Sequence, residues 1–322
     1  MNTHEPALIQ SRENPLVKQL KRLAQESGAY RKQGRVWVEG EHLCSAARLR
    51  GWQPEVVVYA ESVWCAQAPH PSLSPKGRGR SVALISDAAL PSRERLPVFL
   101  PLPLGEGRGE GPPLGMQNKY HKQNRHPAPA HQAQAAIKTV VIADALWREF
   151  TALESPEGVG CILILPEAPG LKPNAPTVVL DRVQDAGNVG SILRSASAFG
   201  FTQIAAIKGT ALLWSPKVLR AGMGAHFALR LVEGLDEAAL DALKPPLLAT
   251  SSHQGDWLHR AELPWPCGWL LGHEGQGVSP TLQARAARHI RIAQPGGEES
   301  LNVAAAAAIC LHASGAGQDR TR

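Results

Sequence analysis

Apolar residues recur along this chain in two alternating rhythms: short continuous runs, and sets spaced on a helical period. Near the start, Asn14 offers a side-chain cap and Pro15 suits a first helical position. Leu16, Leu20 and Leu23 then share one face while Lys18, Lys21 and Arg22 point elsewhere, which predicts an amphipathic helix. A basic turn, Arg31-Lys32-Gln33-Gly34-Arg35, leads into a predicted strand at Val36-Trp37-Val38. A second helix is read over Glu41 to Arg50 and a strand over Glu55 to Tyr59. After an interruption the alternation resumes with a strand at Val140-Val141-Ile142, a helix capped by Asp144 and running to about Leu153, and an apolar strand from Cys161 to Leu165. Strands alternating with helices predict a small α/β domain over residues 1–165.

Residues 166–176 carry four prolines and read as a stiff linker. A second α/β domain follows over 177–322, with strands at Thr177 to Asp181, Gln203 to Ile207, Leu247 to Thr250, Gly268 to Leu271 and Ile290 to Ile292. Its last helix runs from about Asn302 to His312. That helix has no charge from Val303 to Leu311, so it is expected to be buried on all sides, in a core or a subunit interface. No internal repeat is visible.

Composition changes this picture in two places. The 322 residues, 43% hydrophobic and 19% charged, suffice for two domains with filled cores. The formal charge is +6, but residues 66–135 hold nine Lys/Arg against four Asp/Glu and eleven of the 26 prolines. The remainder is close to neutral, so overall basicity is a property of one segment and basic residues must be argued locally. Residues 66–135 are too long and too poor in apolar surface for a core loop and are read as a disordered insertion, in which only Ser81 to Ser86 could form a strand. An Arg/Gly-type RNA-binding segment is the functional alternative. The five cysteines are scattered and form no CxxC pair, which argues against a disulfide framework and a zinc finger. No run of about 18 uncharged apolar residues occurs and the first residues lack a signal-peptide core, so a cytoplasmic protein without a membrane span is expected.

Three Gly-rich segments directly follow strands of the second domain, where open α/β folds place ligands. The first runs from Asp181 through Asn188 to Arg194, with a helix expected to start near Gly190. Arg194 in its first turns opposes the helix dipole, and with free amide groups makes an anion-attracting corner. Asn188 could equally be a plain helix cap and Arg194 a surface ion-pair partner. The second is Leu271-Gly272-His273-Glu274-Gly275-Gln276-Gly277, whose GxxGxG spacing is not the dinucleotide fingerprint. It could be a simple tight turn, although Glu274 between glycines has little to pack against. The third runs from Ile290 through Glu299-Ser300-Leu301-Asn302-Val303, where Ser300 can cap the last helix. There is no HExxH, no G-x-S-x-G elbow and no GxxxxGK[ST] loop, and Ser251-Ser252-His253 has no orienting acid at a recognisable spacing, so the signals for metal-dependent and serine-hydrolase chemistry are weak.

In this order the three segments resemble the signature motifs of the SpoU (TrmH-like) RNA ribose methyltransferases of the SPOUT superfamily. The carriers are Asp185 to Arg194, Gly272 to Gly277 and Glu299 to Val303, together with Trp214 to Ala225 between them. The N-terminal part, with Ser11 to Pro15 and Val36 to Gly40, is similar to the family's RNA substrate-binding module. The resemblance implies an α/β protein in which a C-terminal trefoil-knotted SPOUT methyltransferase domain follows a small α/β RNA substrate-binding domain. It implies a homodimer, S-adenosylmethionine as cofactor, and rRNA or tRNA as partner. It also implies cofactor contacts around Thr250, Gly272, Gly277, Ile292 and Leu301, and a catalytic group of Asn188, Arg194, Glu274, Ser300 and Asn302.

These residue types suit the chemistry. A ribose 2′-hydroxyl attacks a sulfonium methyl in line and is a poor nucleophile until it loses its proton. A guanidinium does not readily accept that proton, so Arg194 is read as anchoring the adjacent phosphate and stabilising the developing alkoxide. Ala186, His273 and Ala293 depart from the family's usual Pro, Asn and Pro, and none of them removes a proposed catalytic side chain. Arg31, Lys32 and Arg35 are the candidate RNA contacts, a solvated basic turn being the alternative. Two other classes remain open on sequence: a catalytically silent RNA-binding relative, and a nucleotide-binding α/β enzyme such as a dehydrogenase, which the missing GxGxxG disfavours.

Overall fold

The computed structural model describes residues 6–67, 137–151, 153–167, 169–251, 254–296 and 300–317. The expected disordered insertion at 66–135, with its candidate strand, lies outside the described residues except at its first two positions, which close a helix.

The chain opens with β1 (Leu8–Ile9), α1 (Pro15–Gln25), α2 (Ala29–Gln33), β2 (Arg35–Glu39), α3 (Glu41–Leu49), β3 (Pro54–Ala60) and α4 (Glu61–Gln67). It continues with β4 (Lys138–Ile142), α5 (Asp144–Phe150) and β5 (Val159–Ile164). Asn14 caps α1, its Oδ1 accepting from the Leu16 N–H at 2.9 Å, and Pro15 opens the first turn. The helix buries Val17, Leu20, Leu23 and Ala24. The expected basic turn is instead the short helix α2, which buries Ala29 and Tyr30 and ends at Gly34 in the left-handed region. These strands form a five-stranded sheet ordered β1-β4-β3-β5-β2, parallel among β1, β4 and β3 and antiparallel at β5 and β2.

Downstream lie β6 (Thr177–Leu180), α6 (Ala186–Ala198), β7 (Gln203–Ile207), α7 (Pro216–Gly222), β8 (Arg230–Leu235), β9 (Leu247–Thr250) and β10 (Asp256–Trp257). Then come β11 (Gly268–Leu271), α8 (Pro280–Ala284), β12 (Arg288–Arg291) and α9 (Val303–Ala316). They build a wholly parallel seven-stranded sheet ordered β10-β12-β9-β11-β6-β7-β8. Every residue of β6, β7 and β11 is buried, as expected of a parallel sheet covered on both faces. The edge strand β8 escapes sequence reading because Arg230, Glu233 and Gly234 break its apolar run.

The proline-rich stretch is fastened to the second sheet. The Gln203 side chain holds both the N–H and the carbonyl of Lys172, and Arg230 donates to the Gly170 carbonyl at 3.0 Å. The two sheets share one hydrophobic cluster, which runs from Tyr30, Val36 and Val38 to Leu180, Leu193 and Phe227. Trp52 packs on Trp214 and Phe227 and donates its indole N–H to the Phe227 carbonyl.

Candidate active site

Four parallel strands, β12, β9, β11 and β6, stand side by side, so their carboxyl ends form one rim. Asp181 leaves β6 fully buried, and its carboxylate accepts from the Ser279 N–H at 2.6 Å and from Arg182 Nε at 2.8 Å. Arg182 adopts a left-handed backbone (φ 59°) and passes its guanidinium on to Gln276 Oε1 at 2.9 Å. This pair therefore ties the loop after β6 to the loop after β11. Sequence reading assigned it no role; the available signal was a charged pair immediately after an apolar strand.

The α6 helix begins four residues earlier than its sequence suggests. Asp185 is the cap, accepting from the Asn188 N–H at 2.7 Å, and Ala186 starts the helix. Gly190 sits inside it because a Cβ there would lie 2.3 Å from the Ala221 Cβ, where α6 and α7 meet. With Asp185 as cap, the Asn188 side chain is released for a longer reach. Its Nδ2 donates to Glu274 Oε1 at 3.1 Å, and its Oδ1 accepts from Asn302 Nδ2 at 3.0 Å.

Glu274 also accepts the backbone N–H groups of Gln184 at 3.2 Å and Asp185 at 3.1 Å. Partial burial opposes its ionisation, but the Asn188 amide and these N–H donors outweigh that and hold the carboxyl below the ordinary carboxylate range. Glu274 is thus a fixed anion that fastens two loops. Its own loop folds back through a His273–Gly277 bridge. A Cβ on Gly272 would fall 2.0 Å from the Gly277 carbonyl carbon, and Gly277 takes φ +69°.

Asn302 caps α9, its Oδ1 accepting from the N–H groups of Ala304 at 2.9 Å and Ala305 at 3.2 Å. The cap expected at Ser300 is therefore two residues off; Ser300 is exposed and makes no hydrogen bond among the described residues. Three sequence-distant loops meet through the chain Glu274–Asn188–Asn302. Arg194 is not part of that chain. It lies six residues beyond Asn188 on α6, about 9 Å along the axis, exposed and without an ion pair among the described residues.

The candidate cofactor residues line the same rim. Thr250 closes β9 and donates to the Leu270 carbonyl at 3.2 Å; Gly272 follows β11, and the half-buried Ile292 follows β12. Leu301 is 39% exposed, and a Cβ on Gly277 would meet nothing within 4 Å. The last helix is not buried on all sides within this chain: Ala307, Cys310, Leu311 and Ser314 face inward, while Ile309 is 41% exposed.

The three N-terminal cations part company. Arg35 grips Glu55 through two hydrogen bonds, at 2.5 and 2.7 Å, and Arg31 lies 3.5 Å from Glu233. Lys32 is exposed and lines a groove of about 650 Å³ with Lys18 and Arg22, two cations not singled out from the sequence. Glu233 also accepts from the Tyr30 hydroxyl and the Leu213 N–H, which makes it a junction between the two sheets. Burial pushes the fully enclosed His226 down to about 4, and its Nε2 lies 2.9 Å from the Leu213 carbonyl, a role invisible in sequence. Among the described residues no acidic, His or Cys cluster could hold a metal, and no helix is long and apolar enough to cross a membrane.

Residues 175–312 match the model of the SpoU rRNA Methylase family. The 23S rRNA (guanosine(2553)-2′-O)-methyltransferase RlmP of Bacillus subtilis is 28% identical over 182 residues, covering 56% of this chain and 73% of that protein. An uncharacterized tRNA/rRNA methyltransferase of Synechocystis is 25% identical over 323 residues, 96% of this chain and 94% of the relative. The crystal structure of an AdoMet-bound rRNA methyltransferase from Sinorhizobium meliloti superposes with a TM-score of 0.66 at 21% identity, covering 96% of this chain and 97% of that one. It shares the fold.

Proposed function

We propose that this chain, whose residues 175–312 match the model of the SpoU rRNA Methylase family, methylates a ribose 2′-hydroxyl of structured RNA, using S-adenosylmethionine. Ribosomal RNA is the substrate class carried by the names of its relatives. The observation that carries this reading is the hydrogen-bond chain Glu274–Asn188–Asn302, which joins the three motif loops at one rim of the parallel sheet. A silent RNA-binding relative would have no use for a buried-strand rim and a three-loop polar chain held in this detail.

The rim suits a flat cofactor. Half-buried Ile292 and exposed Leu301 offer apolar surface, Gly277 leaves open space above its loop, and the backbones after β9, β11 and β12 supply hydrogen-bonding groups. Thr250, Gly272, Gly277, Ile292 and Leu301 would hold S-adenosylmethionine. When bound, it supplies an electrophilic methyl group on a cationic sulfur that leaves as a neutral thioether.

The chain's own residues do the positioning. Glu274 stays ionised and immobilises the Asn188 amide, so Asn188 and Asn302 present fixed dipoles to the reacting ribose, with Ser300 adjoining. Such orientation can be worth effective molarities of about 10⁵–10⁸ M. Arg194, permanently cationic and solvent-facing, anchors the neighbouring phosphate and stabilises negative charge developing on the 2′-oxygen, while the proton passes to water. Lys32, with Lys18 and Arg22, offers RNA a cationic groove on the first domain, the proposed substrate-binding module. Arg31 and Arg35 support that surface from their ion pairs.

Two further features belong to this reading. The helix that follows β12 in sequence, α9, packs on α6 beside the rim, which supports reading this domain as trefoil-knotted. The exposed Leu301 and Ile309 on that helix and its approach suit burial by a second copy, giving a homodimer that works in the cytoplasm. Ile309→Asp would then shift the protein to monomer in sedimentation.

The direct test is methyl transfer from labelled S-adenosylmethionine to protein-free rRNA from cells lacking the gene, with ribose methylation mapped by alkaline-resistance sequencing. A single new 2′-O-methyl position is expected; label on a base, or none on any cellular RNA, would overturn the reading.

A further inference from the structure

At the far edge of the parallel sheet, the two-residue strand β10 pairs with the end of β12 in a register that sets Trp257 opposite Arg291. The Arg291 guanidinium lies over the Trp257 indole, 4.0 Å from the ring centroid, and its Nε donates to the Gly255 carbonyl at 3.1 Å, which fixes its plane. Trp257 is 37% exposed and joins no hydrophobic cluster of the described residues. Trp265, exposed to a similar degree, has an internal partner in Phe201 at 5.1 Å; Trp257 has the guanidinium and, at 6.3 Å, the exposed His259 ring. A large flat indole therefore stands at the surface, stiffened by a cation on one side.

Its surroundings mix both signs, with Arg260, Arg288 and Arg291 against Asp256 and Glu262. A depression of about 560 Å³ beside it is lined by Asp256, Trp257, Arg260, Glu262 and Arg288. Asp256 engages Arg288 at 2.7 Å, while Arg260 has no ion pair among the described residues. The position also matters: Arg291 directly precedes Ile292 at the rim, and β10 stands four strand spacings, about 19 Å, from β6 and the Asn188 loop. A chain that reaches the catalytic rim along the sheet ends would cross it.

We propose that Trp257 and Arg291 form a stacking platform for an unpaired nucleobase of the substrate RNA, a few nucleotides from the methylated ribose. It rests on the methyltransferase reading above and extends it from the reacting sugar to the flanking sequence. Single-stranded bases splay onto aromatic rings and guanidinium planes, whereas duplex RNA hides its faces, so the platform selects a loop or bulge as substrate. Arg260 beside it supplies charge for the phosphate of the stacked nucleotide. Removing such a stack weakens binding about 5- to 150-fold.

The experiment compares wild type, Trp257→Ala and Trp257→Phe for binding to protein-free rRNA from cells lacking the gene, for methyl transfer to it, and for S-adenosylhomocysteine affinity. The Ala variant is expected to raise the RNA KM and Kd about tenfold with kcat and S-adenosylhomocysteine affinity within twofold of wild type, and Phe to restore most of the loss. Unchanged RNA binding in Trp257→Ala, or an equal loss of S-adenosylhomocysteine affinity, would overturn the platform while leaving the methyltransferase reading intact. Wild type that binds the RNA through Trp257 but transfers no methyl group would uphold the platform and overturn the methyltransferase reading; absence of RNA binding overturns both.

Discussion

Asn302 donates from its side-chain amide to the side-chain Oδ1 of Asn188 at 3.0 Å across 114 residues of sequence. The same Asn302 caps α9 with its own oxygen, and the same Asn188 donates to Glu274. One pair of amides thus couples the start of the last helix to both other loops of the site, so each side chain has a local and a long-range duty that separate substitutions can resolve.

Asn302→Ala removes both duties. Loss of the cap costs about 1 kcal/mol, a fall of about 2–4 °C in melting temperature. Methyl transfer is expected to fall far more, about a hundredfold, because Asn188 loses its fixed orientation. Asn302→Ser keeps a capping oxygen but not the amide donor, so it should restore melting temperature without restoring turnover. Recovery of both together would show that Asn302 acts only as a cap.

Glu274 is held ionised in the folded protein, with its carboxyl below the ordinary range. Its stabilising contacts are therefore complete above the unfolded value of 4.5 and are lost as pH falls through the lower folded value. No limb of the rate profile between pH 6 and 9 should belong to it. Glu274→Gln should lower kcat/KM by about tenfold equally across that range; a variant that removes a limb of the profile would instead make Glu274 a proton acceptor.

Arg194→Lys preserves charge but not the planar fork that grips a phosphate or alkoxide from two donors. Turnover is expected to drop about a hundredfold, in line with loss of one preorganised transition-state donor, with S-adenosylhomocysteine affinity unchanged. Calorimetry beside a methylation assay reads both quantities, and near-full turnover in the Lys variant contradicts the assigned role.

His226 is fully buried and its folded value lies near 4 against 6.5 in the open chain. The unfolded chain takes up the proton first as pH falls, so this residue's contribution is present above pH 6.5 and erodes on the way down to about 4, by about 3 kcal/mol in all. Urea midpoints of wild type and His226→Gln across pH 7.5 to 4.5 should converge at the acid end. Parallel curves would mean that the imidazole is not buried neutral.

Local signals decide some elements and not others: Asp144, expected to cap α5, is its first residue behind Ala143, and that helix ends at Phe150 rather than near Leu153. Asn14 and Pro15 announce α1 because a cap and a first-turn proline act within one helical turn. Misreadings arose where a distant partner decided. Gly187 and Gly190 lower helix propensity and pushed the expected start of α6 inward, yet Gly190 is required by Ala221, whose Cβ fills the space a side chain would need. Ser300 and Asn302 are both good capping residues, and local preference does not choose between them. Arg35 and Arg31 read as exposed cations of a basic turn, yet Glu55, 20 residues on, and Glu233, in the second sheet, pair with them.

From its order of residues alone this protein declares an α/β alternation, three loops rich in glycine and polar side chains, and the family those loops resemble. Hydrophobic period and turn chemistry act over a few residues, and composition survives any rearrangement. The strand order β12-β9-β11-β6 was decided only in three dimensions, and with it the meeting of Glu274, Asn188 and Asn302, the Asp181–Arg182 tie between two loops and the stacked pair at Trp257. Which strands become neighbours depends on the joint burial of both sheet faces, a property of the whole packed core that no single segment carries.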